Sequence, residues 1–258
     1  MVVTALTLGL LGWFVGMLAV HGAEAIMTEK PLHRPRCPYC TESYRPLQWS
    51  AVTAYLSGRR RCGSCGQPIR AARLAGEAFV MIVWALLGWR FGVTLRVLYS
   101  MLALLPLAMV LVTDLETKRI PHLIMMPSIG AMLILGTLFG PALPRLGLWR
   151  WWYTLVGAFI GFIVFRILVW LGTALFGEGA LGEGDMTLAT YAGAVVGFPV
   201  IIESLVLAFF LGGIGALVVL VGRRDASLKT AIPYGPFIVL GAGITLVWGP
   251  EIMSWFLS

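Results

Sequence analysis

Residues 2–20 read VVTALTLGLLGWFVGMLAV, an apolar run without a charged side chain. At 1.5 Å of rise per residue, roughly 20 such residues cover the ~30 Å hydrocarbon layer as a helix. The run has no basic n-region and exceeds the usual signal-peptide core, so it reads as a retained span. Comparable runs follow at 75–92, 94–113, 120–140, 153–176, 186–199, 200–221 and 232–256. The stretch 186–221 is too long for one comfortable span and is split at Gly197-Phe198-Pro199, which marks a tight turn or a kink. Composition agrees: 59% of the 258 residues are hydrophobic and 12% charged, against about 25% charged in a soluble domain. The expected fold is an all-α polytopic membrane protein with about eight transmembrane helices.

The net charge of +7 raises nucleic acid as a partner, but the placement of the charges has a simpler cause. Residues 21–74 hold nine Lys/Arg against Glu24, Glu29 and Glu42. With the N-terminus outside, 21–74, 114–119, 177–185 and 222–230 all fall in the cytoplasm and carry fourteen of the nineteen basic residues. That is the positive-inside bias of a multi-pass membrane protein, and no nucleic-acid partner is expected. Trp149, Trp151, Trp152 and Tyr153 read as an aromatic anchor at the outer interface. Three parts result: a first transmembrane helix (1–20), a soluble cytoplasmic module (21–74) and the remaining membrane domain (75–258). No internal repeat stands out.

The module is too short to bury a large core unaided. All four cysteines lie in it, as Cys37-x2-Cys40 and Cys62-x2-Cys65. Two such knuckles can place four thiolates tetrahedrally around one structural Zn²⁺, in a zinc-ribbon-like module between helices 1 and 2. Arg36, Arg59, Arg60 and Arg61 would offset the thiolate charge. Disulfides are the rival, disfavoured in a reducing compartment. Four thiolates leave no open position for a catalytic water.

Two aspartates stand at the ends of spans. Asp114 lies in Val112-Thr113-Asp114-Leu115-Glu116-Thr117-Lys118-Arg119-Ile120-Pro121-His122, where Pro121 suits the first turn of the next helix. Asp185 closes Gly182-Glu183-Gly184-Asp185, where two glycines permit a tight turn and close approach of another chain. By residue type alone, Asp114 is a solvated helix-end acid and Asp185 an N-cap. The topology places both on one membrane face, and two carboxylates sharing a site can divide acid and base work. Glu116 and Glu183 each lie two residues from an aspartate and face elsewhere on a helix. Arg166 and Glu203 fall inside spans and either pair with each other or face a polar cavity. The three histidines read as interfacial or solvated.

Taken together, these features resemble the bacterial type IV prepilin peptidases, within the GxGD group of membrane aspartyl proteases. The likeness covers nearly the whole chain. Asp114 with Ile120-Pro121 matches the first motif, and Gly182-x-Gly184-Asp185 the second, followed by Gly193-Ala194…Gly197. Ile232-Pro233-Tyr234-Gly235-Pro236-Phe237 is similar to the Pro-Phe-Gly-Pro-Phe run opening the last span, and Glu77 matches the usual acidic position after the module. The resemblance implies cleavage of the short basic leader of prepilins and pseudopilins after a glycine, at the cytoplasmic membrane face. Asp114 and Asp185 would act jointly on one water. It also implies S-adenosylmethionine as a methyl donor for the new N-terminus. Here the chain departs from the pattern: Val15–Glu24 lacks the family's Gly-Ser-Phe-Leu-Asn-x-x-x-x-Arg stretch, and Thr187 stands where a lysine is common. A protease without methyltransferase activity, and a membrane carrier or scaffold with a zinc-stabilised domain, are the alternatives. The oligomeric state is not readable.

Overall fold

The computed structural model describes residues 1–28, 34–139, 150–177, 182–222 and 233–256. Among them the regular structure is helical: α1 (Val2–Thr28), α2 (Ala51–Leu56), α3 (Ala71–Phe91), α4 (Leu95–Thr117), α5 (His122–Phe139), α6 (Arg150–Phe176), α7 (Glu183–Val196), α8 (Val200–Gly222) and α9 (Gly235–Phe256). Apart from α2, these eight helices occupy the eight expected places. Six of them (α1, α3, α4, α5, α6 and α8) are long and apolar enough to cross a membrane. That count is of the described residues; of the other two helices, α7 has 14 residues, about 21 Å at 1.5 Å per residue. The described apolar part of α9 is Gly235–Gly249.

The chain divides into two compact units, Met1–Val97 with Leu104–Thr117, and Leu98–Ala103 with Lys118–Ser258. In the first, α1 packs along α3 through a glycine face. A Cβ on Gly12 would meet Trp84 Cβ and the Val80 carbonyl at 3.0 Å, and one on Gly16 would meet Val80 Cβ at 3.1 Å. Small residues at this spacing let two apolar helices approach closely where lipid supplies no hydrophobic drive. The expected end of the first helix at Val20 is corrected, because α1 continues to Thr28. Its added turns are helix-compatible Gly-Ala-Glu-Ala-Ile-Met and are held by α3: Arg73 pairs with Glu24 at 3.0 Å and its Nη2 meets His21 Nε2 at 2.8 Å.

In the second unit α7 lies against α6, α5, α8 and α9. The α6–α7 approach is closer still: a Cβ on Gly157 would strike the Gly193 carbonyl, and one on Gly161 the Ala189 carbonyl. Tyr191 Oη donates to the Ala103 carbonyl (2.8 Å) and Tyr99 Oη to that of Val195 (3.0 Å), which holds one turn of α4 in this unit. Gly197 ends α7 at φ +74°, its N–H bonded to the Gly193 carbonyl. This left-handed cap makes Gly197-Phe198-Pro199 a tight turn between two helices, as the split required. Pro121 does not open α5 from inside. It precedes His122, and its carbonyl accepts from Ile124 N and Met125 N, both at 3.1 Å.

Two other expectations change. Tyr153 is buried while Trp152 is exposed, so the aromatic anchor does not include Tyr153; Trp149 and the Trp151 side chain lie outside the described residues. Arg166 is exposed and Glu203 buried, and no ion pair joins them among the described residues.

Candidate functional site

The four cysteines converge. Their sulfurs all lie within 4.8 Å of one another, with Cys37–Cys65 at 3.6 Å and Cys40–Cys62 at 3.7 Å. Disulfide sulfurs stand about 2.05 Å apart, so these four cysteines are not paired in disulfides. Tetrahedral thiolates at ~2.3 Å from a metal would be about 3.8 Å from each other. The donor set thus fits a metal ion, with two of its sulfur pairs already near that spacing.

The two knuckles are copies of one another. Cys37 N donates to Glu42 O and Cys62 N to Gln67 O, both at 2.8 Å; Tyr44 N donates to Pro35 O and Ile69 N to Arg60 O. Thr41 and Gly66, each following the second cysteine of its pair, both take positive φ (60° and 71°). A short internal repeat is therefore present in Arg36–Tyr44 and Arg61–Ile69, although no repeat was read from the sequence. Only Arg-Cys-x2-Cys is shared between them, which is too little to stand out. Tyr44 and Ile69 are both buried in the module's small core with Cys37, Cys62, Ala51 and Ala54. Burial raises the Cys37 thiol, but backbone N–H groups of Tyr39 and Cys40 and neighbouring thiols outweigh it and bring it down to about 6.

The module is anchored by two charged residues of α3. Glu77 is fully buried, and its carboxylate accepts from Ala51 N (2.9 Å), Val52 N (3.1 Å) and Ser50 Oγ at the start of α2. A carboxylate there satisfies orphan N–H groups and faces the positive end of the helix. Arg73 is also buried; besides Glu24 and His21 it reaches the Trp49 carbonyl at 3.0 Å and lies over the Tyr44 ring. Arg73, counted from sequence among the topology-setting charges, is an internal clamp. Nothing in the local sequence marks either role, because the partners lie far apart along the chain.

Asp114 stands in the last turns of α4, in the first unit, and is buried (4% exposed). Glu116, two residues on, turns instead to Arg70. Asp185 belongs to the second unit and is buried (8% exposed) in the first turn of α7. It is not the N-cap: Gly182 holds that position, and Asp185 N donates to the Gly182 carbonyl at 3.1 Å. The helix N-terminus favours negative charge there. Gly182 itself has an ordinary extended backbone (φ −77°), so its own conformation does not require glycine. Gly184 is needed for close approach, since a Cβ would meet Ile120 Cβ at 2.9 Å. Glu183 is exposed, and Thr187 is buried with its hydroxyl bonded to the Gly184 carbonyl at 2.7 Å.

Comparison with known proteins bears on this arrangement. Residues 97–217 match the type IV leader peptidase family, and residues 9–91 match the bacterial peptidase A24 N-terminal domain. A prepilin leader peptidase/N-methyltransferase of Aeromonas salmonicida (strain A449) is 30% identical over 87% of this chain and 75% of its own length. The chain belongs to the type IV leader peptidase family. Proteins with the same name from Bacillus subtilis (strain 168) and Pseudomonas putida are 26% and 28% identical, over 88% and 85% of this chain and 89% and 73% of theirs. No solved structure matches. The type IV leader peptidase match covers both Asp114 and Asp185, and the N-terminal match covers the four cysteines and Glu77. As a multi-pass membrane member of this family, the protein combines at least six apolar helices of membrane-spanning length, counted among the described residues, with a metal-competent module.

Proposed function

We propose that this protein is an aspartic-type prepilin peptidase that removes the leader of type IV prepilins or pseudopilins. The observation that carries the reading is the chain-long likeness to prepilin leader peptidases, with a family match that includes both aspartates. Asp114 and Asp185 act jointly: one carboxyl protonates the scissile carbonyl side while the other takes a proton from the attacking water. Which group holds the shared proton is a property of the pair. Support comes from the burial of both carboxyls at helix ends. Gly182 and Gly184 form the loop that carries Asp185.

Within this reading the tetracysteine module binds structural Zn²⁺ through Cys37, Cys40, Cys62 and Cys65, supported by the sulfur spacing. The protein resides in the bacterial inner membrane with its N-terminus outside and the module and aspartates toward the cytoplasm, supported by the Lys/Arg bias. The relatives' names also include N-methyltransferase. In this chain the polar side chains of Val15–Glu24 are His21 and Glu24, and both are taken up by Arg73. Those two side chains therefore help to hold α1 against α3, where the family's stretch has an asparagine and an arginine.

The test is cleavage of a detergent-solubilised prepilin by wild type, Asp114→Asn and Asp185→Asn, with intact mass of the product. Each substitution is expected to lower kcat by roughly 10³ or more. Normal cutting by either variant would remove the pair from the mechanism. Product heavier by one methyl group when S-adenosylmethionine is supplied would add the second activity.

A further inference from the structure

The first unit contains a cavity of about 700 Å³ lined by Tyr39, Arg70, Ala72, Ala75, Leu115 and Glu116. Its walls come from the first cysteine knuckle, the opening turns of α3 and the last turn of α4. Alanines on α3 leave the space open. The acidic group in it is Glu116, whose side chain is 6% exposed. Its Oε2 accepts from Arg70 Nη1, while its Oε1 is buried without a hydrogen-bond partner among the described residues. A buried carboxylate oxygen left in that condition is poorly solvated until a donor reaches it.

The surroundings select the charge of that donor. Arg70 shows how a cation sits here: its guanidinium lies 5.7 Å from the centre of the Tyr39 ring while pairing with Glu116. Among the residues that line the cavity the charged groups are Arg70 and Glu116, paired through Glu116 Oε2, and what is left over is an acceptor, Glu116 Oε1. An ionised phosphate or carboxylate has no proton to donate to that oxygen, whereas an ammonium or guanidinium has both the donor and the opposite charge. Glu116 lies two residues beyond Asp114 on α4, about 3 Å of helix rise, but on another face. Both residues stand in the last turns of α4, which ends at Thr117, so an extended chain passing over that helix end, at about 3.3 Å per residue, spans from one face to the other in roughly four residues.

We infer that this cavity receives a lysine or arginine side chain of the substrate's leader, with Glu116 Oε1 and the Tyr39 ring as its anchors and Arg70 as the internal cation it joins or displaces. This rests on the prepilin-peptidase reading and adds a specificity residue to it. The two partners of the ion pair then have opposite effects: Glu116 attracts the leader, and Arg70 competes with it.

The experiment uses the full-length enzyme in detergent with two synthetic substrates, each a leader joined to its apolar helix. One leader carries lysines and the other glutamines at the same positions. Glu116→Gln is expected to raise KM for the lysine leader about tenfold, the weight of one charged hydrogen bond, with kcat within about twofold. KM for the glutamine leader should not respond to this substitution. Arg70→Gln is expected to lower KM for the lysine leader, a direction that a purely structural ion pair does not allow. Tyr39→Leu, at an exposed position, gives a second reading should Glu116→Gln fold poorly, and is expected to raise the same KM about threefold. Equal losses on both leaders, parallel damage by the Glu116 and Arg70 variants, or an effect of Glu116→Gln confined to S-adenosylmethionine dependence would each overturn the inference. If wild type cuts neither peptide, the peptidase reading fails and takes this one with it. If wild type cuts both with the same KM, only the leader pocket fails.

Discussion

At the scale of single residues, Thr41 and Glu77 carry the sharpest consequences. Thr41 occupies the left-handed backbone position that Gly66 fills in the second knuckle. A β-branched residue there is strained, by about 1–3 kcal/mol for non-glycine residues. Thr41→Gly is therefore expected to stabilise the metal module by about 1 kcal/mol, read as slower loss of metal to a chelator. Gly66→Thr should speed that loss. Glu77 is buried against three donors at the start of α2. Removing it orphans Ala51 N and Val52 N, a cost of about 2–3 kcal/mol. Glu77→Ala should therefore raise amide exchange at Ala51 and Val52 by roughly a hundredfold. Unchanged protection at those two amides would show that the module is held by other contacts.

Between whole elements the decisive quantity is distance of approach. Gly157 and Gly161 of α6 allow backbone contact with Ala189 and Gly193 of α7, and α7 is the helix that begins with Asp185. Gly161→Leu is expected to abolish cleavage together with the folded yield, because backbone cannot yield as a side chain can. Gly130→Leu on α5 should be tolerated, since nothing lies within 4 Å of a Cβ there. A finer case is Gly184 against Ile120, where the obstacle is a side chain. Gly184→Ala is expected to cost about 1–3 kcal/mol, and Ile120→Ala in the same chain should recover part of it. Thermal unfolding of the two single variants and the pair would measure that coupling; strictly additive losses would argue against the contact.

For the molecule as a whole, metal and membrane stabilise different parts. The module has a small core completed by its cysteines, whereas the spans depend on lipid and on helix contacts. A chelator is expected to open the module while far-UV helicity falls by little. Acid should do the same: protons compete with metal for thiolates, so retention falls as pH drops. Metal content at several pH values, set beside helicity, checks both statements. Much of this organisation was legible in the chain itself. Apolar runs, two Cys-x2-Cys pairs, Gly182-x-Gly184-Asp185 and the tight turn at Gly197 are local patterns, and local patterns follow from helix rise and turn geometry. The length of α7, the extension of α1 to Thr28 and the burial of Tyr153 were not legible, because packing sets them. The same holds for partners such as Glu77 with Ala51 and Arg73 with His21, which lie 26 and 52 residues apart. Sequence by itself determined which segments are apolar, where a metal can be held and which acids stand at helix ends. Only the tertiary structure decided which charges are consumed in holding the module and which carboxylate oxygen is left over in the cavity beside Tyr39. The physical reason is that a charged side chain is defined by its neighbours in space, and those neighbours are chosen by the fold rather than by position along the chain.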